Sequence, residues 1–166
     1  MANRNWTRWI HASVANYLKA VCDTESIVSL VEGIEDRDDT FNSAIDSVEI
    51  RVNGPYMSNP SNGYYVARVF VNLLVKSNMG GEQKNKYQLD TNLGIMHEAL
   101  DQPINIYKCG PDTGGVDDGT HIGCMKVLDE SKLGVRVIHF SQIDQTDRVK
   151  QAMVATAYEI ELQENA

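Results

Sequence analysis

The sequence predicts an α+β fold: a mixed, largely antiparallel sheet with long hairpins, flanked by two main helices. Three observations support this prediction. Within residues 63–77 the odd positions from Tyr65 to Val75 are all apolar and the even positions are mixed, which is the two-residue period of a strand. Residues 45–56 and 148–162 share that period, whereas two other segments show the three- and four-residue spacing of an amphipathic helix.

Size, charge and cysteine content limit the kinds of protein that this chain can be. The 166 residues suit a single domain, residues 1–166, with one hydrophobic core. No apolar run approaches the roughly 20 residues of a spanning helix, and the first residues lack the apolar centre of a signal peptide. Three scattered cysteines favour reduced thiols in a cytosolic setting. A formal charge of −8 argues against a sequence-reading DNA binder, but suits a protein that surrounds DNA without binding it.

The first predicted element is an amphipathic helix of about four turns, capped by Asn3 or Asn5. Its apolar face combines residues at helical spacing: Trp6, Trp9, Ile10, Ser13, Tyr17, Leu18 and Val21. A ligand cage of the tryptophans and His11 is the alternative, but aromatic stripes at this spacing usually belong to a core. Residues 27–33 then predict a short strand, and the acidic residues 35–39 predict a solvated loop.

An antiparallel hairpin follows. Residues 45–56 alternate apolar and polar side chains, and Gly54 and Pro55 are expected to end the regular ladder before a polar connection into residues 63–77. The long strand of residues 63–77 has one apolar face and one half-polar face. The half-polar face is expected to be either an assembly surface or an ordinary half-exposed sheet face.

A second helix is predicted over residues 88–100, after a loop over residues 78–86. Asp90 or Thr91 is expected to cap it. Gly94 inside it weakens the helix by about 1 kcal/mol relative to alanine. Close approach of the helix to the sheet would explain the glycine.

Four strands are predicted in the second half, over residues 104–107, 122–128, 134–141 and 148–162. The last is long and pairs with its predecessor. The glycine-rich residues 109–123 predict a long loop with an interaction role. In this region Cys109, His121 and Cys124 are three potential zinc ligands that Asp112, Asp117 or Asp118 would complete, although the spacing matches no common zinc motif.

Catalytic signatures are absent from the sequence: it contains no nucleophile elbow, phosphate-binding loop, dinucleotide fingerprint or zinc-protease helix. His97 and Glu98 are adjacent on the predicted helix, so they do not face one another. His139 precedes a turn that contains Asp144 and Asp147, and one of these carboxylates could orient it as a base. A histidine at a strand end that simply forms a hydrogen bond with an acceptor in the turn is commoner than a catalytic base. The residues alone therefore predict an α+β domain with no visible active site.

The chain resembles the tail terminator family of long-tailed bacteriophages in the order of its elements and in three strings. These are VEIRVNGPYMS (residues 48–58), YYVARVFVNLLVKS (64–77) and HFSQIDQTDRVKQAMVATAYEIEL (139–162). The resemblance covers most of the chain, from the first helix to the final strand. It rests on the order of these three strings along the chain and on the hairpin pattern. The loop of residues 109–123 is the part that is least typical of the family.

The resemblance implies a tail-terminator-like fold and a structural role in the virion, without a cofactor, a metal or an enzymatic activity. In that family the subunits form a homo-hexameric ring on the head-proximal end of the tail tube. The ring binds the tail tube protein, ends its polymerisation and offers a surface to the neck, or head-completion, protein. DNA passes through the ring without sequence-specific binding.

Candidate interface residues follow from this resemblance and from the sheet pattern, since exposed strands are templates for neighbouring chains. The ring contacts are expected on the half-polar strand face and the adjacent hairpin, at Arg51, Asn53, Tyr56, Arg68 and Asn72. The parts facing the tube or neck are expected in the glycine-rich loop and the last turn, at Asp112, Asp117, Asp118, Gln142, Asp144 and Asp147.

Three other functions compete with this interpretation. The nearest is another neck or head-completion ring protein, which differs in its position in the particle. A metal-dependent hydrolase would use Cys109, His121 and Cys124. A host-encoded ligand-binding domain would use the tryptophan helix as its pocket wall, but those tryptophans are needed in the core.

Overall fold

The computed structural model describes residues 4–31, 46–57, 64–78, 84–108, 119–128, 134–139 and 149–163. The elements in these ranges are α1 (Trp6–Thr24), β1 (Val28–Val31), β2 (Ser47–Met57), β3 (Tyr64–Asn78), α2 (Lys84–Leu100), β4 (Ile104–Tyr107), β5 (His121–Val127), β6 (Arg136–His139) and β7 (Val149–Gln163). A mixed, mostly antiparallel sheet and two helices confirm the predicted α+β class. Neither of these helices has the length and apolar character needed to cross a membrane.

The sheet has the order β1-β2-β3-β7-β5-β4, and β6 also pairs with β7. Only β1 and β2 are parallel; the other described pairs are antiparallel. The predicted hairpin of β2 and β3 is confirmed. At the centre, β3 and β7 pair along their whole lengths, from Tyr64 opposite Gln163 to Asn78 opposite Val149. This long ladder sets the positions of the strands on either side of it.

Strands β5 and β6 follow one another along the second edge of β7. Strand β5 pairs with Tyr158 and Glu159, and β6 pairs with residues 152–155. Between these contacts the Leu128 N–H donates to the Ala157 carbonyl at 2.8 Å. The expected pairing of β7 with its predecessor is therefore confirmed, with β5 extending the same edge.

The core lies between the helices and one face of the sheet. The odd-numbered residues of β3 from Ala67 to Val75 are buried, as their period predicts. Trp6 and Trp9 of α1 are only 0% and 5% exposed, and Trp6 packs edge-on against Tyr65 at a centroid distance of 5.2 Å. The aromatic stripe of α1 is thus part of the hydrophobic core.

Two tyrosines hold the C-terminal end of α2, the half-buried Tyr17 of α1 and the buried Tyr158 of β7. The Tyr17 hydroxyl donates to the Ala99 carbonyl at 2.8 Å, and the Tyr158 hydroxyl donates to the Leu100 carbonyl. These bonds satisfy carbonyls near the C-terminal end of α2, which have no partner within the helix. Burial raises the pKa of Tyr158 well above its usual range, with smaller contributions from Tyr17 and Asp101. The hydroxyl therefore stays protonated and remains a donor.

Helix α2 differs from its prediction in its first residue and in its capping residues. It begins at Lys84, so residues 84–86 are helical, although a loop was expected there. Asp90 and Thr91 lie inside the helix instead of capping it, and the Thr91 hydroxyl donates to the Tyr87 carbonyl at 2.8 Å. The first turn carries no apolar side chain on the core face before Leu89, so periodicity alone could not reveal it.

Two further local expectations are corrected. Gly94 is exposed, and a Cβ built on it would meet nothing within 4 Å, so close approach to the sheet does not explain this glycine. Asn5 occupies the N-cap position of α1, but its side chain makes no capping hydrogen bond; its carbonyl accepts the Trp9 N–H at 3.0 Å. Asn3 and the acidic residues 35–39 lie outside the described residues.

Candidate protein-docking surface

The sheet face opposite the helices, here called the outer face, carries the even-numbered residues of β3. The register of β2 and β3 places Arg51 opposite Asn72 and Tyr56 opposite Arg68. Asn53 is opposite Phe70 in the same ladder. Directly opposed residues of an antiparallel pair point to the same face. The five interface residues predicted on the hairpin therefore come together on the outer face, while their role as contacts stays a prediction.

An irregularity in β2 directs Tyr56 outwards. Gly54 and Pro55 were expected to end the ladder, but pairing resumes at Tyr56 after a register shift. Gly54 has φ +108°, and a Cβ there would lie 2.8 Å from the Arg68 carbonyl, so only glycine fits. The Gly54 carbonyl is held at 2.7 Å from His11 Nε2 of α1. A bulge of this kind re-aims the side chains that follow it.

Tyr56 and Phe70 form an exposed aromatic pair on the outer face. Their ring centroids are 5.6 Å apart in an edge-to-face arrangement with an interplanar angle of 70°. Tyr56 is 59% exposed and Phe70 is 40% exposed, although Phe70 lies on a central strand. Aromatic residues are enriched in the centres of protein–protein interfaces. The pair is therefore the best candidate for an anchor in a contact with another chain.

Charged side chains border the aromatic pair. Arg68 Nε lies 3.8 Å from Glu159 Oε2, and both side chains are partly exposed. Glu159 is in turn opposite Lys126 of β5, so Tyr56, Arg68, Glu159 and Lys126 form one row across four strands. Exposed ion pairs contribute only ~0–1 kcal/mol. A partner could therefore break this ion pair with only a small loss of free energy.

On β2 and β3, the exposed part of the outer face lies at the end near Tyr56. At the other end Glu49, Leu74 and Lys76 are buried, and Arg51 Nε bonds to Glu49 Oε1 at 3.3 Å. We call the exposed end, formed by Asn53, Tyr56, Arg68 and Phe70, the aromatic patch. On the outer face of β2 and β3, the aromatic patch is the part that a partner could reach.

A groove opens beside the aromatic patch, where β5 and β7 separate beyond Lys126 and Glu159. Its volume is about 540 Å³, and its lining consists of Cys124, Lys126, Val127, Leu128, Glu159, Ile160 and Glu161. Its lining is mixed, with Val127, Leu128 and Ile160 beside charged side chains of both signs. The period of β3 already placed Phe70 on its half-polar face, although it was not named as a contact. Sequence reasoning missed Glu159 and Lys126, because only the strand register brings them beside Arg68.

The potential zinc ligands are only partly within the described residues. His121 begins β5, where its Nε2 lies 3.2 Å from Asn105 Oδ1 and its ring packs edge-on against Tyr107. The Cys124 thiol contacts the Met125 carbonyl at 3.8 Å. In the ranges that the structure describes, no three His, Cys, Asp or Glu side chains form a group that could hold a metal. Cys109 lies outside those ranges.

The remaining candidates do not form a described site. His97 and Glu98 are both exposed on α2, and Asp144 and Asp147, the carboxylates expected near His139, lie outside the described residues. The same holds for the rest of the predicted tube- or neck-facing set, Asp112, Asp117, Asp118 and Gln142. No protein-family model matches the sequence, and no curated protein is significantly similar to it.

Proposed function

We propose that this chain is a structural virion protein: a tail terminator that forms a ring at the head-proximal end of a phage tail tube. It ends tube polymerisation and joins the tail to the neck. The observation that carries the proposal is the aromatic patch, in which Tyr56 is 59% exposed and Phe70 is 40% exposed on a sheet face. Adjacent exposed apolar groups that form one patch often mark a contact with a partner, whereas a single exposed apolar side chain does not.

The location of the three resembling strings supports the proposal. The first string forms most of β2, the second forms most of β3, and the third contains nearly all of β7. These strands are neighbours in the order β2-β3-β7. The strings therefore build one continuous surface, and that surface carries the aromatic patch.

The composition of the aromatic patch suits contacts between copies. Tyr56 and Phe70 offer apolar area, while Arg68 and Asn53 offer donors and acceptors around it. Aromatic residues and arginine are the types most enriched at the energetic centres of interfaces. A ring needs such a surface to meet a different surface of the next copy.

The proposed partners are five further copies in a homo-hexamer, the tail tube protein and a neck protein. The formal charge of −8 suits the proposed path of DNA through the ring, because like charge repels phosphate. In this role the chain works by docking and performs no chemistry of its own. Its proposed location is the virion, after synthesis in the bacterial host.

Sedimentation of the purified chain and imaging of particles test the proposal together. We expect a ring of about six copies in solution and density for it at the top of the tail tube. A strict monomer at all concentrations that is absent from the top of the tail would contradict it. Density elsewhere in the neck would instead favour another head-completion ring protein.

A further inference from the structure

We propose that strand β6 of one copy docks into the groove between β5 and β7 of the next copy, with Arg136 paired to Glu161. This inference depends on the proposed function, since it names the contact that would close the ring. The two surfaces lie at different places on the same chain. Such a head-to-tail contact is the kind that generates cyclic assemblies.

The outer edge of β6 is the first half of the contact. Strand β6 pairs with β7 on one side, and no described residue pairs with its other side. Val137 and Ile138 are 39% and 41% exposed, although β-branched residues favour burial in sheets. Arg136 is also exposed, and it makes no ion pair with any described residue. An open apolar edge is a template for another chain.

The edge strand β4 of the same sheet has hydrogen-bond partners outside the sheet, whereas the outer edge of β6 has none among the described residues. At β4 the Tyr107 N–H donates to Ser13 Oγ at 3.0 Å. The Ser13 hydroxyl in turn donates to the Tyr107 carbonyl at 3.4 Å. Helix α1 thus covers β4 in the way that native proteins protect their edges. Strand β6 has no such cover among the described residues.

The groove is the second half of the contact. Its volume of about 540 Å³ falls within the ~300–1,000 Å³ range of ligand sites. Val127, Leu128 and Ile160 line it together with charged side chains. Glu161 is also one of the lining residues, and it is exposed and makes no ion pair with any described residue. A groove that combines aliphatic side chains with an exposed carboxylate suits an arginine, because its stem is apolar and its head is a fork of donors.

The chemistry of β6 matches that of the groove. Arg136 and Ile138 lie opposite Ala155 and Met153, so both side chains project from the outer face. Ile138 would extend the apolar contact while the guanidinium reaches Glu161. Lys126, which also lines the groove, is the cross-strand neighbour of Glu159, so Glu161 is the carboxylate left for the incoming guanidinium.

One copy cannot make this contact with itself. Strand β6 lies beside residues 152–155 of β7, whereas the groove is lined by residues 159–161 of the same strand. Antiparallel strands rise ~3.4 Å per residue, so the two surfaces are separated along β7 by more than a side-chain length. The matching halves are therefore available only to two different copies.

A charge exchange tests the pairing. The variants are Arg136→Glu, Glu161→Lys and the double variant, whose net charge equals that of the wild type. Each single reversal is expected to weaken assembly at least ~10-fold in sedimentation experiments, because it places like charges together. The double variant is expected to restore assembly to within about threefold. Circular dichroism and thermal unfolding establish that each variant is folded.

Matched controls reverse exposed charges elsewhere, at Arg4 and at Asp90 of α2. Arg4→Glu and Asp90→Lys are expected to assemble like the wild type. If the single variants at β6 and the groove assemble normally, or if the double variant stays as weak as the singles, the inference is wrong and the ring proposal stands. If the wild type itself is a strict monomer, both the ring proposal and this contact are wrong.

Discussion

Truncation of Tyr56 is the sharpest perturbation of the proposed docking surface. Tyr56→Ala removes the more exposed ring of the aromatic patch while leaving the β2 backbone in place. Because the ring is 59% exposed in the single chain, most of its area is available for a partner to bury. We expect the variant to fold and to lose assembly.

The expected size of the effect follows from the exposed fraction. For an aromatic side chain of ~200 Å², an exposure of 59% leaves ~120 Å² to bury, worth ~3 kcal/mol or on the order of 100-fold in the dissociation constant of one contact. The area already buried and the edge-to-face contact with Phe70 together account for ~2.5–3.5 kcal/mol of folding stability. The two effects are similar in size, so assembly is compared at a temperature at which both the variant and the wild type are folded.

The assay is sedimentation velocity over a concentration series, with thermal unfolding of the same samples. Tyr87→Ala is the matched control, because Tyr87 is 69% exposed but lies on α2, away from the outer face. The control is expected to assemble like the wild type. Normal assembly of Tyr56→Ala, or an equal loss in Tyr87→Ala, would refute the reasoning.

Three further predictions concern the subunit itself. Gly94→Ala is expected to raise the free energy of unfolding by ~1 kcal/mol and the melting temperature by ~2–4 °C, because the added Cβ meets nothing within 4 Å. Ser13→Ala is expected to lower the free energy of unfolding by ~1–3 kcal/mol, because the Tyr107 N–H loses its acceptor. Stability is expected to fall as the pH rises above about 9, because burial raises the pKa of Cys22 from 9.0 to about 11 and also raises that of Tyr158.

The sign of the alkaline effect follows from proton binding. Both groups hold their protons more tightly in the folded chain, so their contribution is complete below the unfolded pKa values and is lost as the pH rises through the folded ones. Melting temperatures that do not change between pH 8 and pH 11 (about the range of these pKa values) would contradict this prediction. For Gly94→Ala the contradicting result is a lower melting temperature, and for Ser13→Ala it is an unchanged one.

The strands were the most predictable part of the fold. The period-two pattern of β2, β3 and β7 is strong because one face of each strand is buried by the helices, so the apolar residues must alternate. The start of α2 was less predictable, since the turn that begins at Lys84 has no apolar face to mark it. The surroundings of Gly94 were also not predictable, because the sequence does not reveal whether a helical glycine faces the sheet or open space.

The aromatic patch was predictable only in part. Arg68 and Asn72 follow from the half-polar face of β3, whereas the outward position of Tyr56 depends on the bulge at Gly54. The row that joins Arg68 to Glu159 and then to β5 depends on which strands are neighbours. Strand order is set by long-range contacts, and local residue patterns do not encode it.

Electron cryomicroscopy of particles that contain this protein tests the central claim most directly. We predict a closed ring at the head-proximal end of the tail tube, with Tyr56 and Phe70 buried against an adjacent chain. A particle without this chain at that position, or a ring in which both aromatic side chains still face solvent, would contradict the account.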